Sequence, residues 1–248
     1  MKTVLSLGAV IALCAWTPDD DFDKATAKAA GMSKYAVKLT SKIEGMPGGG
    51  GGGGGGGAQP ADVKVDKDVA AEIKSGEQTV YKKGDMLVYK DGETWKKYER
   101  QQGGGGGQGG NRATRGLRLL QGLKLPHDML ADFGKKMKEV KKADEKDNDC
   151  TVYSGDLTDE GAKELGALGG RGGGGGGQGG GFTFTGTAKF WVNAEGTIVK
   201  YEIFINGKGK IREQDVDLKS TRTYEISEID NVKLEVPEEV TKILGGNP

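Results

Sequence analysis

Hydrophobic and polar positions change their period several times along this chain, and each change marks an element. Residues 4–16 are apolar except for Ser6 and Gly8. Residues 18–32 then read as a short helix, with Thr17 as its cap, Pro18 at the first helical position and Asp19, Asp20 and Asp21 in the first turn. From Lys34 the period becomes two. Tyr35, Val37, Leu39 and Ile43 alternate with Lys38, Thr40, Lys42 and Glu44, which is a strand with one wet face. Further strands follow at 62–66, 70–74, 79–83, 86–90 and 94–100, separated by the turns Ser75-Gly76, Gly84-Asp85 and Asp91-Gly92. Asp-Gly between alternating segments is a hairpin signal, so 62–100 reads as an antiparallel meander.

Residues 113–138 switch to helical spacing. Leu117, Leu119, Leu120 and Leu123 cluster, and Pro126 opens a new helix. Met129, Leu130, Phe133, Met137 and Val140 lie on one side of it. Residues 149–154 return to strand, and Thr158 caps a further helix with Ala162, Leu165 and Leu168 as its apolar side. The clearest alternation comes next. Phe182, Phe184, Gly186, Ala188, Phe190 and Val192 alternate with Thr183, Thr185, Thr187, Lys189, Trp191 and Asn193. Strands over 197–206, 210–218, 221–227 and 232–236 follow, with a turn at 207–209, before a last helical turn from Pro237. Helix, strands, helices, strand, helix, strands is not a parallel β-α-β rhythm. It predicts an α+β fold, a large curved antiparallel sheet whose helices cover the concave face.

Composition alters this picture at one point. Gly counts 46 of 248 residues, and the tracts 48–57, 103–110 and 169–181 hold 28 of them. Outside the tracts glycine falls to about 8%, an ordinary level. The tracts lie between elements and are read as overgrown loops of one domain spanning 16–248. They lack the Gly-X-Y period of collagen.

Lys+Arg 36 against Asp+Glu 36 is a neutral balance, against a dedicated nucleic-acid binder. The apolar run after Lys2 is too short to span a bilayer and fits a secretory signal peptide over 1–15. Ile11-Ala12-Leu13-Cys14 approaches a bacterial lipidation box, which would make Cys14 a membrane tether; a cut after Ala15 is the alternative. Either removes Cys14 from pairing with Cys150, which reads as a structural thiol. The single histidine, His127, reads as a surface residue at a helix start. The acids Asp144, Glu145, Asp147 and Asp149 lack the calcium-loop spacing and read as a solvated hairpin loop. No catalytic, metal or cofactor motif stands out, so the chain reads as non-enzymatic.

The segment from Gly186 to Glu202, a strand ending Trp191-Val192-Asn193, a Glu195-Gly196 turn and a strand through Val199-Lys200-Tyr201-Glu202, resembles the LolA-like lipoprotein-carrier superfamily of the LolA, LolB and LppX type. The stretch 81–89 with Trp95 resembles its second and third strands, and 232–244 its closing strand. The resemblance implies an incomplete β-barrel, outside the cytoplasm, that holds acyl chains in an apolar cavity between sheet and helices. Its location would be the periplasm or the outer side of a membrane, and its partners lipids or the acyl chains of lipoproteins. A helix side of Met129, Leu130, Phe133 and Met137 would face a wall of Phe182, Phe184, Phe190, Val199, Tyr201 and Ile203. The second reading is a structural or interaction protein of the cell envelope with a filled core.

Overall fold

The computed structural model describes residues 20–45, 60–99, 117, 120–147, 149–167, 182–211 and 214–245. The proposed signal peptide, Cys14 and the three glycine tracts lie outside the described residues.

Eleven strands form one antiparallel sheet in the order β6-β5-β4-β3-β2-β1-β11-β10-β9-β8-β7, not closed into a barrel. They are β1 (Lys34–Glu44), β2 (Ala61–Asp66), β3 (Ala70–Ser75), β4 (Gln78–Lys83), β5 (Met86–Asp91), β6 (Thr94–Lys97), β7 (Lys141–Asp147), β8 (Cys150–Asp156), β9 (Thr183–Val192), β10 (Ile198–Ile211) and β11 (Gln214–Ser227). The meander β2 to β6 turns at Gly76, Gly84 and Gly92, whose φ values of 58°, 56° and 63° a side chain would strain. Pairing of β1 with β11 joins this meander to the second run of strands, so chain segments far apart in sequence share one sheet.

Among the described residues, four helices decorate the sheet: α1 (Asp20–Gly31), α2 (Pro126–Ala131), α3 (Asp159–Ala167) and α4 (Glu238–Ile243). The first three cover one face, here called inner. One apolar core lies between them, reaching from Val80 and Leu87 on β4 and β5 to Tyr153 on β8. Helix α1 buries Phe22, Ala25 and Ala29. Its alanines permit close approach, and its Phe22 ring meets Phe190 edge-on at 4.9 Å and Tyr153 at 5.6 Å. Helix α4 lies on the outer face instead, where Val240 and Leu244 pack on Ala70, Tyr81 and Val88.

Four expectations about elements change. The helix expected to reach residue 138 stops at Ala131, and a 3-10 turn, Phe133–Lys136, follows. Backbone pairing ends it: Thr158 N–H donates to Lys136 O and Lys138 N–H to Asp156 O, both at 2.8 Å, which draws Met137 into a bridge with Leu157. The acidic stretch expected as a loop is the edge strand β7, with only Asp149 of the four acids in the turn. Its charges give no apolar alternation, which suits an edge that must resist pairing with other chains. The three strands expected over 197–227 are the two 14-residue strands β10 and β11. The expected turn at 207–209 is continuous strand. Finally, 232–236 pairs as no strand; it crosses the outer face, where the Tyr81 hydroxyl donates to Glu235 O at 3.4 Å.

Candidate functional site

The inner face of β9 and β10 meets α2 and the 3-10 turn at the centre of the molecule. Leu125 enters α2 without a side-chain cap, Pro126 starts it, and the helix buries Met129 and Leu130. Phe133 and Met137 continue the same apolar side through the 3-10 turn. Opposite them stand Phe190, Tyr201 and Ile203. The Phe133 and Phe190 rings meet at 5.0 Å, near perpendicular, and Phe190 stacks beside Tyr201 at 6.2 Å. Leu130, Phe133, Phe190, Tyr201 and Ile203 are each 0% exposed. Surfaces that no water-sized sphere touches line no water-sized void, so the interior is closed at this point.

Seven of the ten expected residues therefore share the central core. Val199 does not. The register between β9 and β10 shifts between Ile198 and Lys200, a bulge that places Ile198 in the core and turns Val199 outward. Val199 packs with Cys150, Val152 and Trp191 on the outer face, where the Lys200 ammonium sits 4.3 Å over the Trp191 ring. Cys150 is buried there as a free thiol, and burial first, then Asp147 and Asp149, raises its pKa. Such a thiol is a poor nucleophile.

Phe182 and Phe184 lie on the inner face but at its open end. Their rings stack at 5.9 Å and are half-buried. They cover bare backbone on the partner strand. A Cβ on Gly207 would come 2.7 Å from the Phe184 ring, and one on Gly209 2.7 Å from the Phe182 ring. Gly166 of α3 closes on Phe184 from above, where a Cβ would sit at 2.6 Å. Glycine in mid-strand is thus a bed for aromatic rings here, not a turn.

The segment 125–137 is held from outside by a few polar bonds. Glu164 of α3 takes Lys124 at 2.8 Å and Lys136 at 3.0 Å, one cation from each end of the segment. These contacts lower the Glu164 pKa. Lys82 of β4 donates to Gln121 O at 2.7 Å.

A polar string runs through the apolar interior, unexpected from sequence. The Tyr35 hydroxyl of β1 hydrogen-bonds His127 Nδ1. His127 is buried, not at the surface as expected, because α2 lays its first turn against β1. Burial lowers its pKa; Asp128, 3.5 Å from Nε2, opposes this and Lys67 reinforces it. Burial also lifts Tyr35 above the usual phenol range. Tyr201 and Tyr224, directly opposite on β10 and β11, stack at 4.4 Å with rings 8° apart. Burial raises both pKa values, and the charge of the neighbouring Arg222 pulls that of Tyr224 back. The Tyr201 hydroxyl has no partner among the described residues. Alternation with Val37 and Leu39 placed Tyr35 on this face; nothing local marked His127 or Arg222 as facing it.

Among the described residues no group of three or more His, Cys, Asp or Glu is placed to hold a metal ion. No helix among them is long and apolar enough to cross a membrane.

No family model and no curated protein matches this chain. Among solved structures, a LolA superfamily protein from Nitrosomonas europaea matches at 10% identity, covering 91% of this chain and 97% of its own, with a TM-score of 0.32. The fold class itself rests on the strand order and the inner helices described above.

Proposed function

We propose that this protein binds lipid or lipoprotein acyl chains between its inner sheet face and the segment 125–137, and that it acts as an exported, non-enzymatic carrier of the cell envelope. The observation that carries this reading is the lid-like build of that segment. It has one six-residue helix and one 3-10 turn, too short to be stable alone. Its polar attachments are a few partly exposed ion pairs, each worth little, the His127–Tyr35 hydrogen bond and two backbone bonds beside Met137. What seats it is the burial of Met129, Leu130, Phe133 and Met137.

The magnitudes are compatible with displacement. Exposing four such side chains costs roughly 6–12 kcal/mol at ~1.5–3 each. An acyl chain gains ~0.8 kcal/mol per methylene taken from water, so about 8–15 methylenes offset the opening. Long-chain lipids fit that range and short ones do not. Methionines at two of the four positions suit an interface that repacks.

The second reading, a structural envelope protein, is favoured by the closed centre, where five of the ten expected wall residues have no exposed surface. Titration with a dansyl-labelled undecanoyl probe separates the two. The carrier reading expects saturable, blue-shifted fluorescence that palmitate competes away. A probe that never reports an apolar site leaves the packed envelope protein as the reading.

A further inference from the structure

The inner face of the four central strands carries an unusual charge pattern. Alternation and register place Tyr35, Val37, Leu39, Ser41 and Ile43 of β1 on it, with the facing residues of β9, β10 and β11. No Asp or Glu falls on that face of these four strands; Arg222 is its one charge. Arg222 as a residue is half-buried, and no ion pair joins it to a carboxylate among the described residues. Two residues further along the same face of β11 lies Tyr224, whose pKa, raised by burial, the Arg222 charge draws back down. Beside Tyr224, ring on ring, lies Tyr201, whose hydroxyl is buried and unpartnered.

Each of these groups is a donor. Arginine has five N–H groups and no acceptor, and a phenol has one O–H. A buried donor left unmade is costly, and a half-buried cation without an anion is costlier. Of the acids on the helices over this face, Glu164 holds two lysines and Asp128 is turned to His127. The other titratable side chains facing the cluster, Tyr35 and His127, satisfy each other.

We infer that Arg222, Tyr224 and Tyr201 form a head-group site for an anionic amphiphile, one whose carboxylate or phosphate takes the guanidinium fork and the free Tyr201 hydroxyl while its chain runs inward. The inference rests on the acyl-binding reading and gives it a polar half. Arg222 stands toward the half-buried end of the face, where Phe182 and Phe184 lie, and Tyr201 stands at the closed centre. The site thus points a head group to the open end and the chain toward Phe133 and Phe190. Planar, bidentate capture of a carboxylate or phosphate is what arginine does better than lysine.

The test uses the purified full chain and displacement of the dansyl probe by palmitate, hexadecanol and palmitoyl-lysophosphatidic acid, with inorganic phosphate titrated separately by calorimetry. Palmitate and the lysophosphatidic acid should bind about ten- to hundredfold more tightly than hexadecanol, the value of charge-assisted hydrogen bonds at a partly buried site. Arg222→Gln should erase most of that preference and leave hexadecanol binding unchanged; Tyr201→Phe, which keeps the ring of the apolar wall and removes only its hydroxyl, should weaken palmitate more than hexadecanol. The hexadecanol control shows that the Arg222→Gln variant is still folded around its apolar site. Equal affinity of native protein for palmitate and hexadecanol overturns the head-group site while the carrier reading stands, and so does preference undiminished in both variants. Inorganic phosphate binding as tightly as the lysophosphatidic acid also overturns it, in favour of a free-anion site. If neither palmitate nor hexadecanol displaces the probe, the acyl-binding reading fails and this inference with it.

Discussion

His127 shows how burial turns one side chain into a measurable pH dependence. It enters the core to accept or share a proton with the Tyr35 hydroxyl, and burial holds its imidazole below the ordinary value despite Asp128. A depressed histidine binds its proton in the unfolded chain first. The stability it contributes is therefore whole above the unfolded value of ~6.5 and is lost as pH falls toward the folded value. Urea midpoints should drop between about pH 7.5 and 5 in the native protein, and less in His127→Gln. Identical pH slopes would place the acid sensitivity elsewhere. The residue was misread from sequence because a histidine beside a helix-opening proline carries no mark of depth. Depth here comes from β1, some ninety positions away.

At the scale of elements, the long hairpin of β10 and β11 was hidden by Gly207 and Gly209, which look like a turn. Neither has the positive φ of a turn glycine. Their bareness serves the Phe184 and Phe182 rings. Gly207→Val should destabilise by about 1–3 kcal/mol although valine favours strands, because the ring above must shift. In a Phe184→Ala background the same change should be neutral or stabilising, a coupling that a double-mutant cycle in denaturant measures directly. Additive costs would refute the ring-on-glycine account. The meander β2 to β6, by contrast, was legible nearly to the residue, since its turns carry Asp, Ser and Gly and its strands alternate without interruption. Edge strand β7 was not, since an edge built of charge has no period to read. The short helix and 3-10 turn of 126–136 were hidden by tertiary pairing of Met137 with Leu157, which no local pattern announces.

For the whole molecule, one sheet holds the strands on either side of every glycine tract, and those flanking the first and third tracts are direct neighbours. Ala61 of β2 sits opposite Leu39, five residues before the end of β1. The chain from Glu44 to Ala61 thus returns about 17 Å along the sheet and one strand spacing across it. Six residues outside tract 48–57 plus four retained glycines reach about 33 Å, which is ample. Cutting the tract to four glycines should change stability by under about 0.6 kcal/mol and leave the melting temperature nearly constant. A loss of several kcal/mol would mean the tract packs against the domain. Fold class was readable at this scale because it depends on periods and order. The closed centre and its polar string were not, because both depend on which strands become neighbours.

The central claim is that an acyl chain enters where the segment 125–137 now lies, and one reversible lock tests it. Met137 and Leu157 face each other as an antiparallel bridge flanked by the bonds Lys138 N–H to Asp156 O and Thr158 N–H to Lys136 O. That is a narrow pair, with Cα atoms typically ~4.5 Å apart and within reach of a disulfide. The double variant Met137→Cys with Leu157→Cys should bind the dansyl probe when reduced. When oxidised it should lose at least about tenfold in affinity, which reducing agent restores. Equal binding in both redox forms would show that the chain, if it binds, enters elsewhere, and would contradict the account.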